Sequence, residues 1–314
     1  MSSMSTTANP AERFEPHRGR LLGLAYRMLG SMADATDAVQ ETYLRWHAAD
    51  REEVADARAF LITTTTRICL DLLTSARARR EAYVGPWLPE PVLDTAALTP
   101  DAHTELAEDL SVALLLTLDR LSPLERSAFL LHDVFDLSFA EIARTLERSE
   151  AACRQLASRA RARVREARPR GSTGPAAPPG TVDAKHAQLM AAFAAATQAG
   201  DVEALMHLLA ADVRVVTDGG GKVPAAVDVV EGADRAARFL VEVTRKRPGQ
   251  WWRDHFTVRF ASVNGLPGVV VDGSEGPVQT TAFEIEDGVI RALYVVRNPD
   301  KLRHLAAAPA PRTR

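Results

Sequence analysis

The chain has 314 residues, too many for one helical domain, and predicts two or three. Hydrophobic residues at 46% and charged residues at 25% fit ordinary globular protein with several small cores, and a formal net charge of −3 excludes attraction to nucleic acid by bulk charge. Two cysteines, Cys69 and Cys153, are too few for a disulfide framework or a zinc site and sit in apolar helical patterns as small core residues. The Ser/Thr-rich start does not read as a signal peptide, and no run of about 18 apolar residues is present to span a membrane. A cytoplasmic protein with no membrane partner is expected.

Residues 11–80 read as helical. Leu21, Leu22, Leu24, Ala25, Met28 and Leu29 recur at helical spacing, and Gly30-Ser31 breaks the pattern. A second helix is predicted from about Asp34 to Trp46. A third runs from about Asp56 to Arg80, carrying Phe60, Leu61, Ile68, Leu72 and Leu73. Residues 81–104 form a linker in which Pro86, Pro89, Pro91 and Pro100 stop a helix. Residues 105–166 are helical again: Leu110, Val112, Leu114, Leu115, Leu118 and Leu121 mark one helix, and Ser122-Pro123 caps and opens the next. Residues 167–182 are rich in proline, glycine and serine and read as a flexible linker. Residues 183–306 begin with two helices, about 184–199 and 201–210. Strand-like runs follow at 213–217, 256–263, 268–271, 278–285 and 289–296, with turns such as Asp287-Gly288. Helices followed by strands within one unit argue α+β.

Three helical segments carry chemistry. In residues 138–165, Ser138 and Glu141 form a capping box, and Phe139, Ile142, Ala143 and Leu146 make an apolar face. After a turn at Arg148-Ser149, Ser149 can cap a second helix with Ala152, Leu156, Ala160 and Val164 on its core face. Glu150, Arg154, Gln155, Ser158, Arg159 and Arg161 fall mostly on its other faces. That is a helix-turn-helix layout, in which arginine and glutamine can reach base edges and arginine and serine can reach phosphates. A plain helical hairpin with a solvated arginine face fits the same pattern. On the 34–46 helix, Asp34, Asp37, Gln40, Glu41 and Arg45 line one face and Val39, Tyr43 and Trp46 another, as in any amphipathic surface helix. The 57–80 helix holds Thr63-Thr64-Thr65-Thr66-Arg67 and ends in Arg77, Arg79 and Arg80. Four threonines lower helix propensity, so something beyond local preference should hold them. Threonine and arginine together suit sugar-phosphate contacts, and a basic last turn also complements the helix dipole. Every lysine or arginine before Lys185 is an arginine, which favours phosphate and base contacts but also follows from a GC-rich genome.

These segments, Asp34–Trp46, Asp56–Glu81 and Leu121–Val164, resemble regions 2 and 4 of extracytoplasmic-function sigma factors, group IV of the sigma-70 family, in the usual order and spacing over roughly residues 11–166. Trp87-Leu88-Pro89-Glu90-Pro91, Asp218-Gly219-Gly220-Gly221-Lys222 and Asn298-Pro299-Asp300-Lys301-Leu302 are similar to three signatures of a subgroup with a fused SnoaL-like domain, the cone of the nuclear transport factor 2-like fold. The resemblance implies two all-α sigma domains, 11–80 and 105–166, the second with a helix-turn-helix, then an α+β SnoaL-like cone at 183–306. It implies that Asp34, Asp37, Gln40, Glu41 and Arg45 dock on the β′ clamp helices of RNA polymerase core, with the β flap as a further contact. Thr64, Arg67, Arg77, Arg79 and Arg80 would contact the promoter −10 element. Ser149, Arg154, Gln155, Ser158 and Arg159 would read the −35 element. Trp87, Pro89, Glu90, Asp218, Gly219, Gly220, Gly221, Lys222, Asn298, Pro299, Asp300 and Lys301 would form an interdomain regulatory contact acting in cis. The chain departs from the family near Leu73 and Thr74, where another arginine is usual.

The glycines at 219–221 lack Walker spacing and Lys222 precedes Val223 rather than Ser or Thr, which rejects a phosphate loop. The alternative function is a DNA-targeted small-molecule sensor or enzyme working through the cone. His207, Asp212, Asp218 and His255 are its acid/base candidates, Trp251, Trp252 and Phe256 its pocket lining, and an unidentified small ligand its partner. Such residues are more often structural, so no catalysis, cofactor or metal is expected. The acidic 34–45 face, which a sensor-repressor would not need, favours the sigma reading.

Overall fold

The computed structural model describes residues 9–49, 54, 56–81, 83–93, 98, 110–167, 184–246 and 254–306, with backbone alone for 74–81. The chain divides into two compact units: Met1–Ala78, Ala96–Asp109 and Thr117–Ala167 form one, and Arg79–Thr95, Leu110–Leu116 and Arg168–Arg314 the other. Part of the sequence-level linker and the start of a helix thus pack with the C-terminal unit.

In the first unit, α1 (Pro10–Leu29) starts on the Asn9 side chain, which accepts from the Ala11 N–H at 3.1 Å. It ends at Gly30 (φ 68°), a left-handed cap that glycine adopts without Cβ strain. Ser31 caps α2 (Met32–Ala48), and α3 (Ala57–Glu81) follows. Phe14, Leu21, Leu24, Met28, Trp46 and Leu61 are fully buried. The Trp46 indole N–H donates to the Pro10 carbonyl at 3.0 Å. The last residues of α4 (Val112–Asp119) lead to α5 (Pro123–Phe129), which has a complete Ser122–Glu125 capping box and proline in its first turn. A π-helical turn, Leu130–Val134, connects it to α6 (Phe139–Leu146) and α7 (Glu150–Ala167).

In the second unit, α8 (Ala184–Ala199), α9 (Val202–Leu208) and α10 (Ala233–Arg245) pack on a six-stranded sheet ordered β2-β1-β6-β5-β4-β3. The strands are β1 (Leu209–Asp218), β2 (Val230–Glu231), β3 (Thr257–Val263), β4 (Leu266–Gly273), β5 (Gly276–Glu286) and β6 (Val289–Val296). β1 and β6 pair in parallel, and the other neighbours are antiparallel. Asn264-Gly265 and Asp287-Gly288 turn their hairpins with φ positive at both residues, the twist that matches right-handed strands. One sheet face, with Val215, Phe283 and Leu293, meets Met190, Phe193, Leu205, Ala236 and Ala237 of the helices. The opposite face, with Val216, Ala282, Ala292 and Tyr294, meets Leu88, Val112, Leu302 and Leu305. Alternation along each strand produces both cores. This is the α+β cone that the resemblance implies.

Three local features differ from expectation. The helix expected to run to residue 210 stops at Leu208, because Leu209 pairs with Ile290 of β6. Helix α10, which the pattern did not announce, follows Gly232 (φ 89°) and buries only the small Ala236 and Ala237 fully. The helix expected through Leu110 begins at Val112.

Candidate polymerase-docking and promoter-reading surfaces

On α2, Val39 and Trp46 are buried and Tyr43 half-buried, which turns the acidic face outward. Asp37, Gln40 and Arg45 are exposed, Asp34 and Glu41 are half-buried, and Arg45 pairs with Glu41 at 2.8 Å. Leu44, 61% exposed, sits one and two turns beyond Gln40 and Asp37 on the same face. The charge pattern on this helix did not single it out.

The threonine run on α3 is held by tertiary and backbone contacts. The hydroxyls of Thr64, Thr65 and Thr66 donate to the carbonyls of Phe60, Leu61 and Ile62 at 2.8–2.9 Å. Thr65, which is buried, also meets the Thr42 hydroxyl of α2 at 3.0 Å. Thr64 therefore has its proton committed and keeps acceptor capacity. Thr63 and the exposed Arg67 point elsewhere: the Thr63 hydroxyl meets that of Thr145 at 2.9 Å, and Arg67 donates to the Thr145 and Arg144 carbonyls at 3.2 Å. Arg67 also pairs with Glu147 at 3.0 Å. The helix reaches Arg77, Arg79 and Arg80, whose side chains lie outside the described residues.

The helix-turn-helix is built by its caps. The Ser138 N–H and hydroxyl donate to the Glu141 carboxylate at 2.8 and 2.6 Å, and the Glu141 N–H donates back to Ser138 Oγ at 3.3 Å. The Ser138 hydroxyl, before its backbone N–H, holds the Glu141 carboxyl below the usual carboxylate range. α6 ends on Glu147 in the left-handed region (φ 54°). Ser149 Oγ then accepts the Ala152 N–H at 3.3 Å, so this side chain serves as the cap of α7. α7 buries Cys153, Leu156, Ala157, Ala160 and Val164 and exposes Arg154, Gln155, Ser158 and Arg159. Arg154 pairs with Glu150 at 2.6 Å and lies over the Phe139 ring; Arg159 pairs with Glu125 at 3.2 Å. The Arg154–Glu150 pair is exposed at both ends and weak, so a phosphate or base partner can replace it, whereas the Glu125 carboxylate that Arg159 meets is buried and also holds Arg163.

In the second unit the three pentapeptides converge. Asp218, at the end of β1, is buried, and its carboxylate accepts from the Leu88 N–H at 2.8 Å, from the Tyr83 hydroxyl at 2.5 Å and from Lys301 Nζ at 2.7 Å. Lys301 Nζ also donates to the Leu88 carbonyl at 2.5 Å and lies 4.3 and 4.8 Å from the ring centroids of Trp87 and Tyr83. Burial, and then the bond to Asp218, pushes the Tyr83 hydroxyl pKa upward. Asn298 donates to Tyr83 at 2.7 Å and caps Pro299–Leu302, here α11, through the Asp300 N–H. Lys222 pairs with Asp300. A Cβ on Gly220 (φ 60°) would sit 2.2 Å from Asn298 Nδ2, which explains a glycine there beyond its dihedral. Gly219 and Gly221 continue the same turn, and Pro89 and Glu90 are buried. His304 meets the Pro91 carbonyl at 2.7 Å, and Asn264 exchanges two hydrogen bonds with the Val92 backbone. Tyr83, Asn264 and His304 lie outside the pentapeptides; of these only Asn264-Gly265, a turn dipeptide, carried a readable signal.

Comparison with known proteins follows these surfaces. Residues 13–79 match the family model of Sigma-70 region 2, and residues 111–164 that of Sigma-70, region 4. The ECF RNA polymerase sigma factor SigJ of Mycobacterium tuberculosis is 42% identical over 294 residues, covering 92% of this chain and 91% of the relative. The chain belongs to the ECF RNA polymerase sigma factors. A probable ECF sigma factor of the same species, SigI, is 33% identical and covers 93% of this chain and 94% of its own. The crystal structure of M. tuberculosis SigJ superposes with a TM-score of 0.70 at 37% identity, over 93% of this chain and 98% of that one. As a sigma factor, the protein directs transcription initiation, with RNA polymerase core and promoter DNA as partners.

His207, Asp212 and His255 are exposed, and Asp218 has its oxygens committed to Tyr83, Leu88 and Lys301. Phe256 is half-buried near Gly273, and Trp251 and Trp252 lie outside the described residues. A cleft of about 50 Å³ lined by Val84, Gly85, Thr217, Gly219 and Val227 is far below the 300 Å³ or more of ordinary ligand pockets.

Proposed function

We propose that this sigma factor is a two-part promoter reader with a built-in regulator acting on its linker. The α2 face of Asp34, Asp37, Gln40, Glu41 and Arg45, with Leu44 as its apolar anchor, docks on the β′ clamp helices in the cytoplasm, and the region-4 part takes the β flap. α3 contacts the −10 element through Thr64, Arg67 and the basic end of the helix. α7 reads the −35 element through Arg154, Gln155, Ser158 and Arg159. The cone performs no catalysis; it controls how far the linker can extend.

The observation that carries this reading is the buried Asp218–Lys301 pair closed on both backbone groups of Leu88. A free linker from residue 82 to 111 spans up to about 100 Å, at roughly 3.4 Å per residue. Tied from Tyr83 through Leu88 to Val92, with Val112 in the same apolar cluster as Leu88, it is held almost from the end of α3 onward. Releasing the linker therefore changes the reach between the two helical parts several-fold. The test is genome-wide run-off transcription with core polymerase, comparing the full chain, Lys301→Met and a chain lacking residues 183–314. Both altered chains should change promoter output in the same direction. Output identical to the full chain in both would mean the cone is a passenger, and no initiation by any chain would remove the promoter assignments.

A further inference from the structure

The two parts assigned to promoter reading lie within one compact unit and touch each other. Arg67 of α3 places its guanidinium on the last carbonyls of α6, those of Arg144 and Thr145, with the Glu147 carboxylate beside it. A helix C-terminus carries partial negative charge. Arg67 thus finds carbonyl dipoles and a carboxylate where a nucleic acid would offer phosphate oxygens. Thr63 closes the same contact through the Thr145 hydroxyl at 2.9 Å. A second row of contacts backs it: Arg20 and Arg58 both donate to the Phe135 carbonyl, at 3.0 and 3.4 Å, and Arg126 donates to the Met28 carbonyl near the end of α1.

This arrangement is incompatible with simultaneous reading of both elements. The centres of the −10 and −35 elements are roughly 25 base pairs apart, about 85 Å at 3.4 Å per pair. Side chains that share hydrogen bonds of about 3 Å cannot sit one at each. The contact also has the character of one made to open. Its row of bonds is polar, and Arg126, only 4% exposed, pairs with Asp119 at 3.1 Å within its own part but leaves its Nε without a partner among the described residues. Burial alone depresses the Arg126 guanidinium to about 10. A buried, incompletely satisfied cation weakens an interface compared with an apolar one of the same size.

We propose that Thr63 and Arg67 latch α3 onto the end of α6 and Glu147, holding the free sigma factor closed until polymerase core and promoter replace those partners. The inference rests on the assignment of α3 and α7 to the two promoter elements, and the experiment separates the two. In the full chain, Thr63→Cys with Thr145→Cys places two thiols where hydroxyls are 2.9 Å apart, while Cys69 and Cys153 are fully buried. Oxidation should cross-link the pair, seen as a mobility shift in a non-reducing gel. The cross-linked chain should lose at least tenfold in binding to core polymerase and in run-off transcription, and dithiothreitol should restore both. Absence of the cross-link under oxidant, or a cross-linked chain that binds core as the reduced one does, overturns the latch. A reduced chain that binds core but initiates nowhere counts against the promoter assignment instead, and core binding still decides the latch. A second variant, Thr145→Val with Glu147→Gln, removes the latch from the α6 side and leaves α3 untouched. It should assemble with core several-fold faster, and an unchanged rate would equally overturn the proposal.

Discussion

Replacing Lys301 by methionine tests how the linker is held. Lys301 fills its site with four methylenes, which methionine largely reproduces, so the change removes the charge and its hydrogen bonds more than volume. Its side chain is 8% exposed and that of Asp218 fully buried. Removing one partner of a buried pair leaves the other charge uncompensated, at about 3–5 kcal/mol. Asp218 keeps the Tyr83 hydroxyl and the Leu88 N–H, which places the expected cost at the lower end, about 3 kcal/mol. The Leu88 amide reports directly, because it opens only when the linker lifts from Asp218. At about 1.36 kcal/mol per decade, its hydrogen-exchange protection should fall by roughly 150-fold. Mass spectrometry of peptides spanning 83–93 reads this out. Asp218→Asn alone should also loosen the segment, and the double variant should lose much less than the sum of the singles, since it leaves no unpaired charge while each single does. Unchanged protection in Lys301→Met, or strictly additive losses, would refute the argument that this pair holds the linker.

Other outcomes follow from the surfaces. Leu44→Ala should leave thermal stability within about 0.5 kcal/mol, because the side chain is already in water, yet weaken core binding by roughly ten-fold or more, from about 1.5 kcal/mol of lost burial; equilibrium binding of labelled protein to core distinguishes this from a spectator. Arg154→Ala should cost about 1–3 kcal/mol at −35 and relax preference at one position if it contacts a base edge, whereas a phosphate contact would weaken all sequences alike and lower the salt slope by about one. Ser138→Ala removes the cap of α6 and should destabilise it by about 1 kcal/mol. The Glu141 carboxyl is depressed in the folded chain, so its contribution is present above the ordinary glutamate range and is lost as pH falls through the lower folded value. Thermal melts from neutral to acid pH should show that loss in the parent chain and a smaller one in Ser138→Ala.

Much of this was legible in the residues because its causes are local. A capping box is a spacing of three, so Ser138 and Glu141 announced α6, and Ser122-Pro123 announced α5. The apolar period placed Leu156, Ala160 and Val164 on the core face of α7 and left Arg154, Gln155, Ser158 and Arg159 outward. The four threonines, unfavourable in a helix by propensity, signalled outside support, and the structure supplies it in the Thr42–Thr65 contact between helices. What escaped had weak or distant causes. α10 presents small alanines to its core, which carry little periodic signal. Leu44 carries no signal in the spacing, because its exposure depends on which neighbouring positions are buried.

The sequence alone determined most element types, the order of the helical parts and the outward chemistry of α2 and α7, since caps, periodicity and turn dipeptides act over a few residues. Only the tertiary structure decided which of those polar groups are spent and on whom. It joined β1 to β6 across some eighty residues, enclosed Lys301 between Asp218, Tyr83 and Trp87, and set Arg67 against Glu147. Such pairings depend on burial and on carbonyls brought together by packing, and neither has a counterpart in the spacing of residues along the chain.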